Sequence, residues 1–426
     1  MKVIVRGGRV IDPSRGVDGV FDVVIEKGKI KEVAEPSRGK ADPGARVIEA
    51  GGMYVIPGLV DLHVHLREPG FEYKETIRTG TMAAIRGGIT SVCAMPNTMP
   101  VNDNPGITDY MLQKAEEEGV CSVFPVGAIT KGQRGEELAE MGMMKEAGCV
   151  AFSDDGRPVP NPLVMRRALE YSKAFGVPII SHCEDLSLSE GGVMNEGSLS
   201  QSLGLRGIPR AAEETIVFRD IALSELTGGR LHIAHVSTEG SARIIRAAKA
   251  RGANVTAETC PHYFTITEEA VAGYNTDAKV NPPLRTARDV EAIKEALADG
   301  TIDVIATDHA PHQLSEKTRE FDLAPSGISG LETALALSLR LVDEGVLALE
   351  DLVRKMALNP ARVVGVGRGT LAPGAPADVA IIDPGAAFRV EPSLFASKGK
   401  NTPFAGWELK GAAAFTIRAG KVHQWR

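Results

Sequence analysis

From about residue 57 to residue 312 the chain repeats one texture about eight times: a short apolar run, a turn, then a stretch with apolar positions at helical spacing. The runs, in order, are "GLVDLHVHL", "ITSVCAMPN", "CSVFPVGAIT", "CVAFSDD", "VPIISHCED", "RLHIAHVS", "NVTAETCPHY" and "DVIATDHAPH". Between most of them lie segments such as "YKETIRTGTMAAIRGG" and "NPLVMRRALEYSKAFG", whose period predicts amphipathic helices. Alternation of this kind predicts parallel βαβ units, and eight of them close a (β/α)8 barrel. A doubly wound open sheet is the alternative. The two ends of the chain read differently. "KVIVRGGRVI", "FDVVIEKGKI" and "RVIEAGGMYVI" are short strands broken by Gly, Pro and charged turns, and "GTLAPGAPADVAIIDP" and "AAFTIRAGKVHQW" repeat that style. The expectation is an α/β protein with a barrel over residues 57–365 and a small β domain built from both termini, residues 1–56 with 366–426.

Composition narrows the partners. A net charge of −7 without long blocks of one sign, and no basic stripe with interleaved aromatics, exclude a nucleic-acid surface and favour a small-molecule substrate. Five cysteines without a Cys-x-x-Cys pair argue against a disulfide framework or a thiolate zinc site, and for a reducing compartment, the cytoplasm. "MKVIVRGGRVIDPSRG" breaks into Gly and Pro too early for a signal peptide, and no apolar run is long enough to span a membrane.

In a barrel of this type the active site lies at the C-terminal ends of the strands, and the reactive residues fall there. Strand one ends in His63 and His65, strand four in Asp154 and Asp155, strand five in His182, strand six in His235, and strand eight in Asp308 and His312. Period-two alternation puts His63 and His65 on one face and sends Val60, Leu62 and Val64 outward to the helices. On strand four it sends Val150 and Phe152 outward and Cys149, Ala151, Ser153 and Asp155 into the lumen. Asp155 is therefore the inward carboxylate, with Asp154 the choice that a bulge would make. His235 is preferred over His232, which alternation places on the other face. Four imidazoles (His63, His65, His182, His235) and two carboxylates (Asp155, Asp308) suffice for two divalent ions, with zinc the metal that suits them and a hydroxide held between. Singly, each piece has a plain reading: an incidental His-x-His, an Asp-Asp-Gly turn, a histidine at a strand end. Their common location on one rim favours the metal site.

With these residues in place, the chain resembles the amidohydrolase superfamily. "DLHVHLREPG" and "ATDHAPHQLSEK" are similar to the two signature segments of the dihydroorotase family, and "ETCPHY" agrees with them. Many relatives bridge their metals with a carbamylated lysine on strand four, but "CVAFSDDG" has none, and Lys145 lies in the preceding helix. The resemblance is thus to the branch in which an aspartate, here Asp155, bridges two zinc ions together with a hydroxide. It implies reversible cyclisation of N-carbamoyl-L-aspartate to L-dihydroorotate in pyrimidine synthesis, with Asp308 as both ligand and general base.

Arg67 offers a planar fork for the substrate carboxylate, against the plain reading of a surface ion pair to Glu68 or Glu72. By resemblance Asn97 and His312 join it, while Asn281 in "VNPPLR" and the backbone at Ser326 and Gly327 contact the ring. Two long segments, "LSEGGVMNEGSLSQSLGLRGIPRAAEE" and residues 313–327, are candidates for a lid. The competing functions are a hydantoinase-type or allantoinase-type cyclic amidase, and a non-catalytic homologue that scaffolds aspartate transcarbamoylase. A homo-oligomer is expected, with the transcarbamoylase as a candidate partner.

Overall fold

The computed structural model describes residues 2–37 and 44–424. Its centre is a parallel eight-stranded sheet whose strands follow chain order: Leu59–Val64, Ile89–Ala94, Ser122–Gly127, Ala151–Ser153, Ile179–Ser181, Leu231–Ile233, Val255–Thr259 and Val304–Ile305. The eighth strand returns to the first through a parallel bridge between Val64 and His309, with His65 N donating to His309 O at 2.9 Å. The sheet therefore curls into a barrel, which excludes the open doubly wound alternative. Asp61 helps close the seam, because its Oδ1 accepts from the backbone N–H of both His63 and Thr307, each at 3.1 Å.

The helices begin where local chemistry lets them. Asn104 and Asn161 cap Pro105–Glu118 and Pro162–Ser172, each with proline at the first helical position, where a missing N–H costs nothing. Thr76 and Thr286 cap Ile77–Arg86 and Ala287–Ala298 in reciprocal boxes with Thr79 and Asp289. Their apolar faces meet the strands in one cluster that includes Val64, Val92, Phe152, Ile179 and Ile233 against Ile85, Leu169, Ile221, Ile245 and Ile293.

Three expectations of side fail on strands one and four: Cys149, expected in the lumen, packs in the helix-facing cluster with its Sγ 3.3 Å from Thr108 Oγ1, and Leu62 and Val150, expected outward, do the reverse. Leu62 and Val150 pack with Cys93, Val126, Ala151, Ile180 and Ala234, a cluster made mainly of strand residues. For Leu62 the cause is a bulge: strand one takes three steps from Asp61 to Val64 while strand two takes two from Val92 to Ala94. Val150 sits one residue before its strand begins, where alternation does not yet apply.

The two ends of the chain share a second sheet. Lys2–Asp12, Val17–Glu26, Lys29–Ala34, Arg46–Glu49 and Tyr54–Pro57 join Val379–Arg389, Glu408–Arg418 and Lys421–Gln424, the two groups meeting where residues 54–57 pair antiparallel with residues 379–382. Its core is separate, built on residues such as Val5, Val10, Ile25, Val55, Ile381 and Ile417. One segment from this end, residues 395–404, runs back to the barrel mouth, where Asn401 bonds the loops after strand eight.

Candidate active site

Strand one brings both of its histidines to one carboxylate pair. His63 Nε2 lies 3.2 Å from Asp155 Oδ1 and 3.6 Å from Asp308 Oδ1, and His65 Nε2 lies 3.0 Å from Asp308 Oδ1 and 3.4 Å from Asp155 Oδ2. Asp155 serves a second pair as well: His182 Nδ1 and His235 Nε2 stand 3.5 and 3.4 Å from its Oδ1 and 2.8 Å from each other. Two groups of potential metal ligands result, His63–His65–Asp155 and Asp155–His182–His235, each with its ligand atoms within 4.8 Å of one another, and Asp155 belongs to both.

The outer nitrogens of three rings are occupied. His63 Nδ1 meets Glu258 Oε1 at 2.6 Å, His65 Nδ1 donates to Asn97 Oδ1 at 2.8 Å, and His182 Nε2 donates to Glu184 Oε2 at 3.2 Å. Partners of this kind hold the ring proton outside and turn the free lone pair inward, the usual support of a metal-ligating histidine. Two atoms at the centre, His63 Nε2 and Asp155 Oδ1, are fully buried and lack a hydrogen-bond partner. Buried polar atoms are seldom left so. Imidazole nitrogen and carboxylate oxygen converging in two groups that share one carboxylate fit a pair of divalent cations. The electrostatics agree. Burial would raise the Asp155 carboxyl, but the field of His63 and the contacts of His182, His235 and His63 hold it well below the usual range. Despite its own burial, His182 is pushed up to about 10 by Asp155 and Glu184. The site favours positive charge, whether carried by protons or by metal.

Asp154 does other work. Its Oδ1 accepts from the N–H of Ile129 and Thr130 at 2.8 and 3.0 Å, and its Oδ2 accepts from Thr130 Oγ1, so it braces the loop after strand three. On strand six the period-two reading needs correcting. Ile233 faces the helices, so His232 and Ala234 are the inward pair. His232 bonds Thr256 Oγ1 at 2.8 Å and Glu258 Oε2 at 3.2 Å, and so reaches His63 through Glu258. His235 turns inward because its backbone is left-handed, with φ +33°. Asp308 and Arg67 are left-handed too, at +46° and +63°. Each such residue costs about 1–3 kcal/mol, and such strain gathers where a side chain must be aimed.

Beside the cluster is a cavity of about 230 Å³, enough for one small ring, and all six residues expected to bind substrate line it: Arg67, Asn97, Asn281, His312, Ser326 and Gly327. Arg67 pairs with neither Glu68 nor Glu72. Glu68 accepts from Ile77 N and Tyr110 Oη, Glu72 accepts from Gly70 N, and Arg67 Nε donates to Pro311 O at 3.3 Å. Asn97 gives its oxygen to His65, and Asn281 Nδ2 donates to Glu184 Oε2 at 3.0 Å. Gly327 has φ +149°, and a Cβ there would sit 2.5 Å from Ala310 O and 2.9 Å from His312 Cδ2. Only glycine lets that backbone border the cavity.

Sequence reasoning missed Glu258, Glu184 and Asn401. The first two stand in "ETCPHY" and "SHCED", where a carboxylate on or beside an apolar strand is itself a signal. Asn401 uses its whole hydrogen-bonding capacity, accepting from His312 N at 2.9 Å and Ser329 Oγ at 3.0 Å, and donating to Ala310 O at 3.1 Å and Gly327 O at 2.9 Å. It ties together the two backbone segments that carry His312 and Gly327. Of the two lid candidates, residues 313–327 are strapped down. Lys279 Nζ donates to Phe321 O and Asp322 O at 2.7 and 3.0 Å, and Lys317 Nζ donates to Pro325 O at 2.9 Å. In the segment after strand five, Met194–Asn195 pairs with Gly207–Ile208 as a two-stranded sheet of its own.

The chain is similar to known proteins along its whole length. Residues 52–241 match a family model described as dihydro-orotase-like, and residues 225–423 match one for the amidohydrolase family. A dihydroorotase of Geobacter metallireducens is 61% identical over 422 residues, 99% of each chain. One of Geobacter sulfurreducens is 62% identical over 423 residues, again 99% of each chain. Among solved structures, L-hydantoinase (dihydropyrimidinase) from Arthrobacter aurescens superposes with a TM-score of 0.89 at 26% identity, covering 99% of this chain and 95% of the other. With relatives this similar along their whole length, and with the ligand cluster and its adjoining cavity in one place, the chain belongs to the dihydroorotase family of amidohydrolases.

Proposed function

We propose that this chain interconverts N-carbamoyl-L-aspartate and L-dihydroorotate on two divalent ions, zinc by ligand preference, held by His63, His65, Asp155 and Asp308 on one side and by Asp155, His182 and His235 on the other. The observation that carries this reading is the joining, in one 230 Å³ cavity, of a shared-carboxylate ligand cluster and an arginine without an ion-pair partner among the described residues. We assign residues 57–365 to the catalytic barrel domain and residues 1–56 with 366–426 to a composite small β domain that supports it.

Ions bound at the cluster would polarise the reacting carbonyl and make water acidic near neutral pH. The chain supplies the rest. Arg67, His312 and Asn97 hold the substrate carboxylate at the far wall and so set which carbonyl faces Asp155 and Asp308. Asp308 takes a proton from the attacking water in the hydrolytic direction and passes it to the departing ring nitrogen, reversing both moves on cyclisation. Asn281 and the backbone at Ser326 and Gly327 confine the ring. The buried cysteines, none in a disulfide among the described residues, suit a reducing compartment, and we assign the cytoplasm. No helix among the described residues is long and apolar enough to cross a membrane.

The test is turnover of dihydroorotate by the metal-replete protein, with hydantoin as the rival substrate. Dihydroorotate is expected to be consumed in strong preference, and turnover of hydantoin without dihydroorotate would overturn the assignment. Arg67→Met is expected to raise KM for dihydroorotate about 30- to 150-fold while changing kcat much less, because a charge-assisted hydrogen bond contributes about 2–3 kcal/mol and is made in both ground and transition states. An unchanged KM would remove Arg67 from the carboxylate site.

A further inference from the structure

Lys74 lies in the loop between strand one and the helix Ile77–Arg86, and its ammonium is aimed at the cavity wall, 3.3 Å from His312 Nδ1. Three other groups hold it there. Glu316 Oε1 lies 2.9 Å from Nζ, and the rings of Phe71 and Tyr73 lie 5.7 and 5.5 Å from it, within cation–π range. An ammonium has only donors, so the nitrogen it faces must be the acceptor, and the ring proton belongs on Nε2. The other side of the ring independently agrees, because Nε2 lies 2.9 Å from the carbonyl of Ser326, which accepts only. The opposite tautomer would have to turn an N–H toward Lys74, with Glu316 Oε2 at 3.7 Å too distant to take it.

We propose that Lys74 is a positioning residue of the anion-binding wall, fixing His312 as the neutral tautomer with its proton on Nε2, where it faces the substrate carboxylate beside Arg67. The reading rests on the function proposed above and adds to it a residue that does not itself line the cavity. The pair geometry explains what the lysine does. Arg67 Nη2 and His312 Nε2 are 3.4 Å apart, and with Nε2 protonated both present hydrogens, so they do not bond each other; the Nε2 hydrogen rests on Ser326 O and can be shared with an acceptor that Arg67 also reaches. Were Nε2 the acceptor, Arg67 would spend a donor on His312 and the ring would have no hydrogen to share with substrate. Charge works in the same direction. His312 is faced by Arg67 from the first loop, by Lys74 beside it, and by Lys317 and Glu316 from its own loop. Its burial and the three cations hold it far below the usual imidazole range, so it stays neutral.

Two readouts on the metal-replete protein test this. Histidine nitrogen NMR, with His312 assigned by its absence in His312→Asn, is expected to show a single Nε2–H tautomer in the wild type and a mixture in Lys74→Met. In kinetics Lys74→Met is expected to raise KM for dihydroorotate about tenfold with kcat within threefold, and Lys74→Arg, which keeps a cationic donor, is expected to restore most of the loss. A wild-type His312 protonated on Nδ1, an unchanged tautomer in Lys74→Met, or losses in kcat that match those in KM would overturn the proposal. The NMR result stands even if the wild type fails to turn over dihydroorotate, an outcome that would count against the functional reading instead.

Discussion

Asp155→Ala is expected to abolish dihydroorotate turnover, by 10³-fold or more, and to remove at least one bound ion, while the neighbouring Asp154→Ala keeps its metal and most of its activity per folded molecule. The reason is the division of labour between two adjacent carboxylates. Asp155 is the one residue common to both ligand groups, with the four imidazoles around it. Removing it would take a ligand from each of the two proposed ions and leave four buried imidazoles with less negative charge to balance any cation. Asp154 faces the loop after strand three, where three donors converge on it. Its loss leaves buried N–H and O–H groups unpaired, at a cost of about 2–4 kcal/mol in stability. Thermal unfolding and metal content, measured on both variants, separate the roles: Asp154→Ala should melt several degrees lower, and Asp155→Ala should lose metal. The opposite pattern would assign the bridge to Asp154.

Asp308→Asn is the second large effect. The amide keeps the shape and can still contact His65, but it cannot take a proton and is a weaker ligand. General-base transfer accounts for about 10²–10⁴ in rate, so kcat should fall by about 10³ or more with KM within a few fold. The His182–His235 group does not depend on Asp308 and should keep its ion. Activity within tenfold of wild type would move the proton carrier elsewhere in the cavity.

Much of this site is legible in the sequence because a barrel turns position along a strand into position in space. His63, His65, Asp155, His182, His235 and Asp308 fall at strand ends, and the fold sends all strand ends to one rim. What stays illegible depends on backbone irregularity or on contacts that only closure makes. The alternation that favoured His235 over His232 does not hold on strand six, where His232 faces inward and His235, two residues past the strand end, joins the site from a left-handed backbone position. A bulge between Asp61 and Val64 likewise puts Leu62 among the strand residues rather than under the helices. Glu258 meets His63 from 195 positions away, and Lys74 meets His312 from 238. Asn401 belongs to a tail that reads as part of the small β domain, yet it bonds the backbone beside His312 and Gly327. No local pattern announces pairings of that range, since they exist only once strand eight has closed on strand one.

On the proposed mechanism the cluster around Asp155 holds two ions and catalysis needs them. The most direct measurement strips the protein of metal and follows dihydroorotate turnover as zinc is returned in known equivalents. Expected are negligible activity without metal, a rise that saturates at two ions per chain in the wild type, and at most one ion bound with no recovery in Asp155→Ala. Full activity in the stripped protein, or saturation at one ion with Asp155→Ala unimpaired, would contradict that mechanism.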